Sequence, residues 1–126
     1  MAQPLIPKRP YLIIAMLDWI NDNKLTPYIL VDTRISDVAV PENFINKERI
    51  ILNIGSVATD NLDVTLESIS FNARFDGKSL SIFVPTEAIL SIYTKETGDG
   101  MIFSDESISH PQDQIEKKAP HLKLVD

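Results

Sequence analysis

Few side chains in this sequence have the makings of a catalyst. The chain contains no cysteine, which excludes thiolate nucleophiles, disulfides and cysteine-based zinc sites together. Its two histidines, His110 and His121, stand in a polar C-terminal stretch where nothing would fix an imidazole or tune its pKa. Four aspartates, Asp32, Asp37, Asp60 and Asp63, could gather around a metal, but their spacing matches no D-x-D-x-D-G calcium loop. Turns and solvated surface are the simpler use for them. The sequence therefore predicts no catalytic residue, no metal site and no cofactor, and leaves recognition as the chemistry to look for.

The elements that would position recognition groups follow from length and pattern. A chain of 126 residues with 44% apolar and 24% charged residues has ordinary globular composition and fits one core. Its 18 acidic against 12 basic side chains give a net charge of -6, which disfavours nucleic acid as the main partner. The longest apolar run, residues 11–17, falls short of the roughly 20 residues of a membrane span and is interrupted by Asp18. Residues 1–16 make a poor leader peptide, because Pro4, Pro7 and Pro10 crowd the run and no small-residue cleavage site follows. With cysteine absent, the expected location is cytoplasmic.

Pro10 suits the first turn of a helix, and residues 11–23 run without Gly or Pro until Thr26-Pro27, so one helix is predicted there. Leu12, Met16, Trp19 and Ile20 form one stripe, while Ile13, Leu17 and the row Tyr11, Ile14, Ala15 fill the other faces. A helix apolar on so many sides needs cover on a second side. A second subunit is the expected cover, and a helix threaded through its own core is the alternative. Beyond Pro27 the period changes to two, with strands predicted at residues 28–33, 49–54, 62–66, 68–75, 80–85 and 90–93. Asp76-Gly77 is a type I′ hairpin signal that pairs the fourth and fifth strands antiparallel. In the fourth strand Ile69, Phe71, Ala73 and Phe75 alternate with Ser70, Asn72 and Arg74, as in a half-buried strand. The predicted fold is mainly β, an N-terminal helix on a small half-open barrel of antiparallel strands.

Residues 104–118 hold two isoleucines among polar and charged residues, too few to offset the entropy of ordering, and read as a flexible linker. Apolar residues return in residues 119–126. That is the form of a docking motif on a lead, able to add as a strand to a partner's sheet, although a strand folded back onto this chain's own sheet fits the spacing equally. The domain division is thus 1–103, 104–118 and 119–126.

Several strings in order carry a family resemblance: Arg9-Pro10-Tyr11-Leu12, Leu25-Thr26-Pro27-Tyr28, Val31-Asp32, Ile51-Leu52-Asn53-Ile54, Phe71-Asn72-Ala73-Arg74-Phe75, Ile92-Tyr93 followed by Gly98-Asp99-Gly100, and the terminal His121-Leu122-Lys123-Leu124-Val125. Together they resemble the bacterial stringent starvation protein B (SspB) family of adaptors for the ClpXP protease. The resemblance implies an Sm-like topology, a homodimer formed through the helix at Tyr11, Leu12, Ala15, Met16 and Trp19, and a groove that receives the ssrA tag as an extended peptide. The groove residues it suggests are Asn53, Ile54, Ser56, Phe71, Asn72, Ala73, Arg74 and Phe75. It also implies that Pro120, Leu122, Lys123, Leu124 and Val125 dock on the N-terminal domain of ClpX.

The residues are compatible with such a groove. Adjoining strands at Asn53-Ile54 and Phe71 to Phe75 would offer apolar side chains beside Asn amides and free backbone groups. Ala73 would leave room for the peptide by being small, while Phe71, Ala73 and Phe75 also fit a plain core face. An Sm-like RNA-binding module is the alternative function, with Phe71, Arg74 and Phe75 as a stacking platform, against which the acidic balance speaks.

Overall fold

The computed structural model describes residues 5–103. Helix α1 spans Arg9–Asp22 and has Pro10 in its first turn, where a missing N–H costs nothing. Its end is a Schellman closure: Lys24 takes a left-handed φ of 60°, the Leu25 N–H reaches the Ile20 carbonyl at 3.1 Å and the Lys24 N–H reaches that of Asn21 at 3.0 Å.

Seven strands follow. They are β1 (Pro27–Asp32), β2 (Arg49–Asn53), β3 (Asp60–Val64), β4 (Ser68–Phe75), β5 (Lys78–Pro85), β6 (Ile89–Thr94) and β7 (Gly100–Ile102), with short 3₁₀ turns at Glu42–Phe44 and Thr86–Ala88. They form two antiparallel sheets, one ordered β2-β1-β6-β7 and the other β3-β4-β5. No ladder joins the two sheets among the described residues, so the barrel stays half-open, as the sequence predicted. Asp76 and Gly77 take φ of 54° and 82°, the positive values that the β4–β5 hairpin turn demands.

Alternation decides the interior. Ile29 and Val31 of β1, Ile50 and Leu52 of β2, and Ile89 and Ile92 of β6 face Ile69 and Phe71 of β4 and Ile82 and Val84 of β5 in one buried cluster. Helix α1 closes it with Ile13, Leu17 and Ile20, each such burial stabilising the fold by roughly 1.5–3 kcal/mol. The sequence-based stripe of Leu12, Met16, Trp19 and Ile20 is therefore divided: Ile20 is core, while Trp19 lies on the open side. Arg9 pins the start of the helix. Its Nη1 donates to the carbonyls of Glu87 at 2.7 Å and Ile89 at 3.4 Å, and its guanidinium lies 5.7 Å from the centre of the Phe103 ring.

Three expectations change. The third strand lies at Asp60–Val64 rather than residues 62–66, with an irregular register near Asn61, whose φ is 56°. A seventh strand, β7, was not predicted. It approaches β6 so closely at Gly100 that any Cβ there would collide with the Ile92 carbonyl and Tyr93. Finally, β2 and β4 are not neighbours: β2 is an edge of one sheet and β4 the centre of the other.

Candidate functional site

The phase of the ladders shows which backbone groups remain open. On β2, the Ile54 N–H donates to Pro27 at 3.0 Å and the Thr33 N–H donates to Glu48 at 3.0 Å, so with the Tyr28↔Asn53 register the even-numbered residues of β2 bond toward β1. Ile51 and Asn53 therefore turn their N–H and C=O groups to the outer edge, which no strand covers among the described residues. Ile51 also exposes 54% of its surface. Arg49 lies on the same edge but is occupied, since it exchanges backbone hydrogen bonds with Asn46 at 2.8 and 3.0 Å.

On β4, the Thr86 N–H donates to Glu67 at 2.9 Å, which places Ile69, Phe71, Ala73 and Phe75 in the hydrogen-bonded phase toward β5. Ser70, Asn72 and Arg74 consequently face β3. That strand pairs with β4 only from Asp60↔Asn72 onward, leaving the Arg74 backbone beyond its reach. The expectation of free backbone groups along residues 71–75 is thus corrected to the last turn of the strand, because β5 and β3 take the rest.

The side chains divide by face. Ile54 and Phe71 are core residues at 1% and 3% exposure, and could shape a groove only from beneath. Ala73 and Phe75 are partly buried against the cluster at the open end of β4. Asn72 accepts a 2.9 Å bond from Ser81 Oγ on the opposite face, and the exposed Arg74 donates to the Gly77 carbonyl at 3.2 Å. Asn53 Oδ1 receives the Gly55 N–H at 2.8 Å, which shapes the start of the β2–β3 loop, and Ser56 is exposed in that loop. A base-stacking platform of Phe71, Arg74 and Phe75 is not assembled, since Phe71 is buried.

Sequence reasoning missed Phe44. Its ring centre lies 5.2 Å from that of Phe75, in a tilted pair that walls the end of β4. A lone aromatic in the polar stretch 41–49 was the available signal. Ile51 was also passed over, because an apolar residue inside a predicted strand gives no sign that its strand is an edge.

Helix α1 presents the other candidate face. Tyr11 and Trp19 are 50% and 45% exposed, Ala15 is exposed and Leu12 is half-buried, while Met16 packs partly against the core. Among the described residues the helix is thus covered on one side only, which speaks against a helix threaded through its own core.

The acidic residues are spread apart. Asp32 is buried beside Arg34, whose Nε and Nη2 donate to its two oxygens at 3.0 and 2.9 Å and hold its carboxyl below the ordinary carboxylate range. Asp37 sits in a turn with φ 72°, and Asp60 and Asp63 are exposed on β3. Among the described residues no three His, Cys, Asp or Glu side chains form a metal cluster. Glu96 is likewise lowered, chiefly because its carboxylate receives the Thr26 N–H at 2.8 Å, with the Thr26 hydroxyl adding a second bond at 2.7 Å. Burial pushes the Tyr93 phenol up, with Tyr28 packed edge-on at 5.9 Å. His110, His121, the linker and the docking motif at Pro120, Leu122, Lys123, Leu124 and Val125 lie outside the described residues. No helix among the described residues is long and apolar enough to cross a membrane.

Comparison with known proteins agrees with the resemblance. The sequence model of the family described as SspB, stringent starvation protein B, matches residues 7–123. A relative named stringent starvation protein B homolog, from Haemophilus influenzae, is 46% identical over 102 residues, covering 81% of this chain and 68% of its own length. The match includes α1, both sheets and the open strand edges, and the chain belongs to the stringent starvation protein B family.

Proposed function

We propose that this chain is a non-enzymatic cytoplasmic adaptor, which binds ssrA-tagged polypeptides along the open ends of β2 and β4 and delivers them to the ClpXP protease. Family membership supports an adaptor role of the SspB kind. The observation that carries the peptide-binding reading is the pair of strand edges at Ile51, Asn53 and Arg74, where an extended chain gains backbone hydrogen bonds while Ala73 leaves space beside Phe75. Homodimerisation through Tyr11, Leu12, Ala15, Met16 and Trp19 would cover the open side of α1. Docking of Pro120, Leu122, Lys123, Leu124 and Val125 on the ClpX N-terminal domain would then raise the local concentration of cargo at the protease without chemistry by the adaptor.

Two measurements test this reading. An Ala73→Gln variant, its fold checked by circular dichroism, is expected to lose affinity for a fluorescent ssrA peptide in anisotropy titrations, and unchanged affinity refutes the assignment. At low substrate, ClpXP should degrade a tagged reporter faster with the full chain than with a chain truncated after Lys118; equal stimulation removes the tail from the mechanism.

A further inference from the structure

A basic hairpin adjoins the groove. Asn46 and Arg49 close it with their backbone pair, and Lys47 and Glu48 form its two-residue turn with φ of 52° and 65°. Asn46 follows Phe44 by two residues, and Phe44 rests on Phe75, so the hairpin is tied to the end of the groove where β4 runs out. Arg34, Asn46, Lys47, Glu48 and Arg49 line an open cavity of about 410 Å³. Within it Arg34 is already engaged, bonded to Asp32 and 3.7 Å from Glu48. Lys47 and Arg49 form no ion pair among the described residues, and both are exposed. In a chain of net charge -6, this leaves two exposed cations without a contact ion pair among the described residues, Arg49 acting on Asp32 only from a distance. The turn also favours Asn-Gly on backbone grounds, so placing Lys and Glu there carries a conformational cost.

We infer that this hairpin is a carboxylate-binding end of the groove, at which an extended peptide sets an Asp or Glu side chain against Lys47 and Arg49. The inference rests on the peptide-binding reading and adds a charge preference to it. A strand added at Ile51 and Asn53 cannot continue past Arg49, because Asn46 occupies that edge. The peptide must leave the sheet there, and the cavity lies where it leaves. A neutral side chain at that point offers the two cations at most a carbonyl acceptor, whereas a carboxylate offers a full charge and two oxygens to pair with both. A polyanion such as RNA is a poorer occupant, since the Phe44–Phe75 pair and Ile51, which adjoin the hairpin, are apolar and Glu48 lies in its turn.

The test uses the full chain and ssrA-type peptides with amidated C-termini, which removes the terminal carboxylate as a competitor. Each pair of peptides differs only by Asp or Asn immediately outside one end of the bound segment. At one end, and not the other, Asp should bind about two- to fivefold tighter at low salt, the range of an exposed ion pair. The preference should fade near 1 M salt. A Lys47→Gln/Arg49→Gln double variant should bring the ratio to one, and Lys47→Arg should keep it. No preference at either end, or one that survives in the double variant, overturns the inference. If wild type shows no preference yet Ala73→Gln abolishes binding, the groove stands and only the hairpin's role falls. A wild type that binds neither peptide refutes groove and hairpin together.

Discussion

Asp32 and Arg34 hold the bend that leaves β1, and their pairing makes stability depend on acid. The guanidinium keeps the Asp32 carboxyl below its ordinary value of 3.8, so the unfolded chain takes up a proton first as pH falls. The stabilisation is complete above the ordinary value and is lost as pH drops through the folded one. Glu96, held by Thr26, acts in the same direction. Urea midpoints measured between pH 2.5 and 7 should therefore decline below about pH 4, and Asp32→Asn should be less stable at neutral pH with a shallower acid decline. An undiminished decline in the variant would assign it to other carboxylates. The sequence showed Val31-Asp32 as part of a motif but not its burial, because the partner Arg34 is recognisable only once the bend brings it back.

At the scale of elements, the 46–49 hairpin and α1 invite opposite substitutions. Replacing Lys47 by Asn and Glu48 by Gly suits both positive-φ positions and should raise stability by about 1 kcal/mol in denaturant titrations; no gain would show that the turn is not strained. On α1, Ala15→Asp places a charge among Tyr11, Leu12 and Trp19, and is expected to shift a dimer to monomer by light scattering. A variant that stays dimeric would move the interface elsewhere. Element legibility followed the range of the signal. Strand β4 was read correctly to the residue because alternation and Asp76-Gly77 are local. Helix α1 was found, but not which of its rows is the core face, since a segment apolar on most sides carries no phase to say which row meets the sheet. Strand β7 escaped because Gly100-Met101-Ile102 is short and its glycine, which usually marks a loop, is needed there for the approach to β6.

For the whole molecule, class and openness were legible: one helix first, then short meandering strands that it caps. Which strands lie side by side was not. The expectation that β2 and β4 adjoin failed because sheet order depends on contacts between distant residues, with β6 returning to pair with β1 from across the chain. The candidate site was accordingly half legible, with Ala73 and Phe75 suggested by the family motif in β4, and Phe44 and Ile51 emerging only with the assembled fold.

The edge of β2 that no strand covers among the described residues has a cost in solution behaviour. Ile51 and Asn53 offer a pairing template to any extended chain, including a partly unfolded copy of this protein, and the cations that guard the edge, Lys47 and Arg49, stand at one end of it only, leaving the exposed Ile51 without a charge of its own. The vacant protein should therefore be the more prone to precipitate when held concentrated and warm, and bound peptide should act as a shield. Turbidity followed at fixed temperature with and without saturating ssrA peptide measures this, the Ile51→Lys variant serving as the guarded control. Under the proposed function, keeping an edge ready for cargo and keeping the protein dispersed are competing demands on the same two residues.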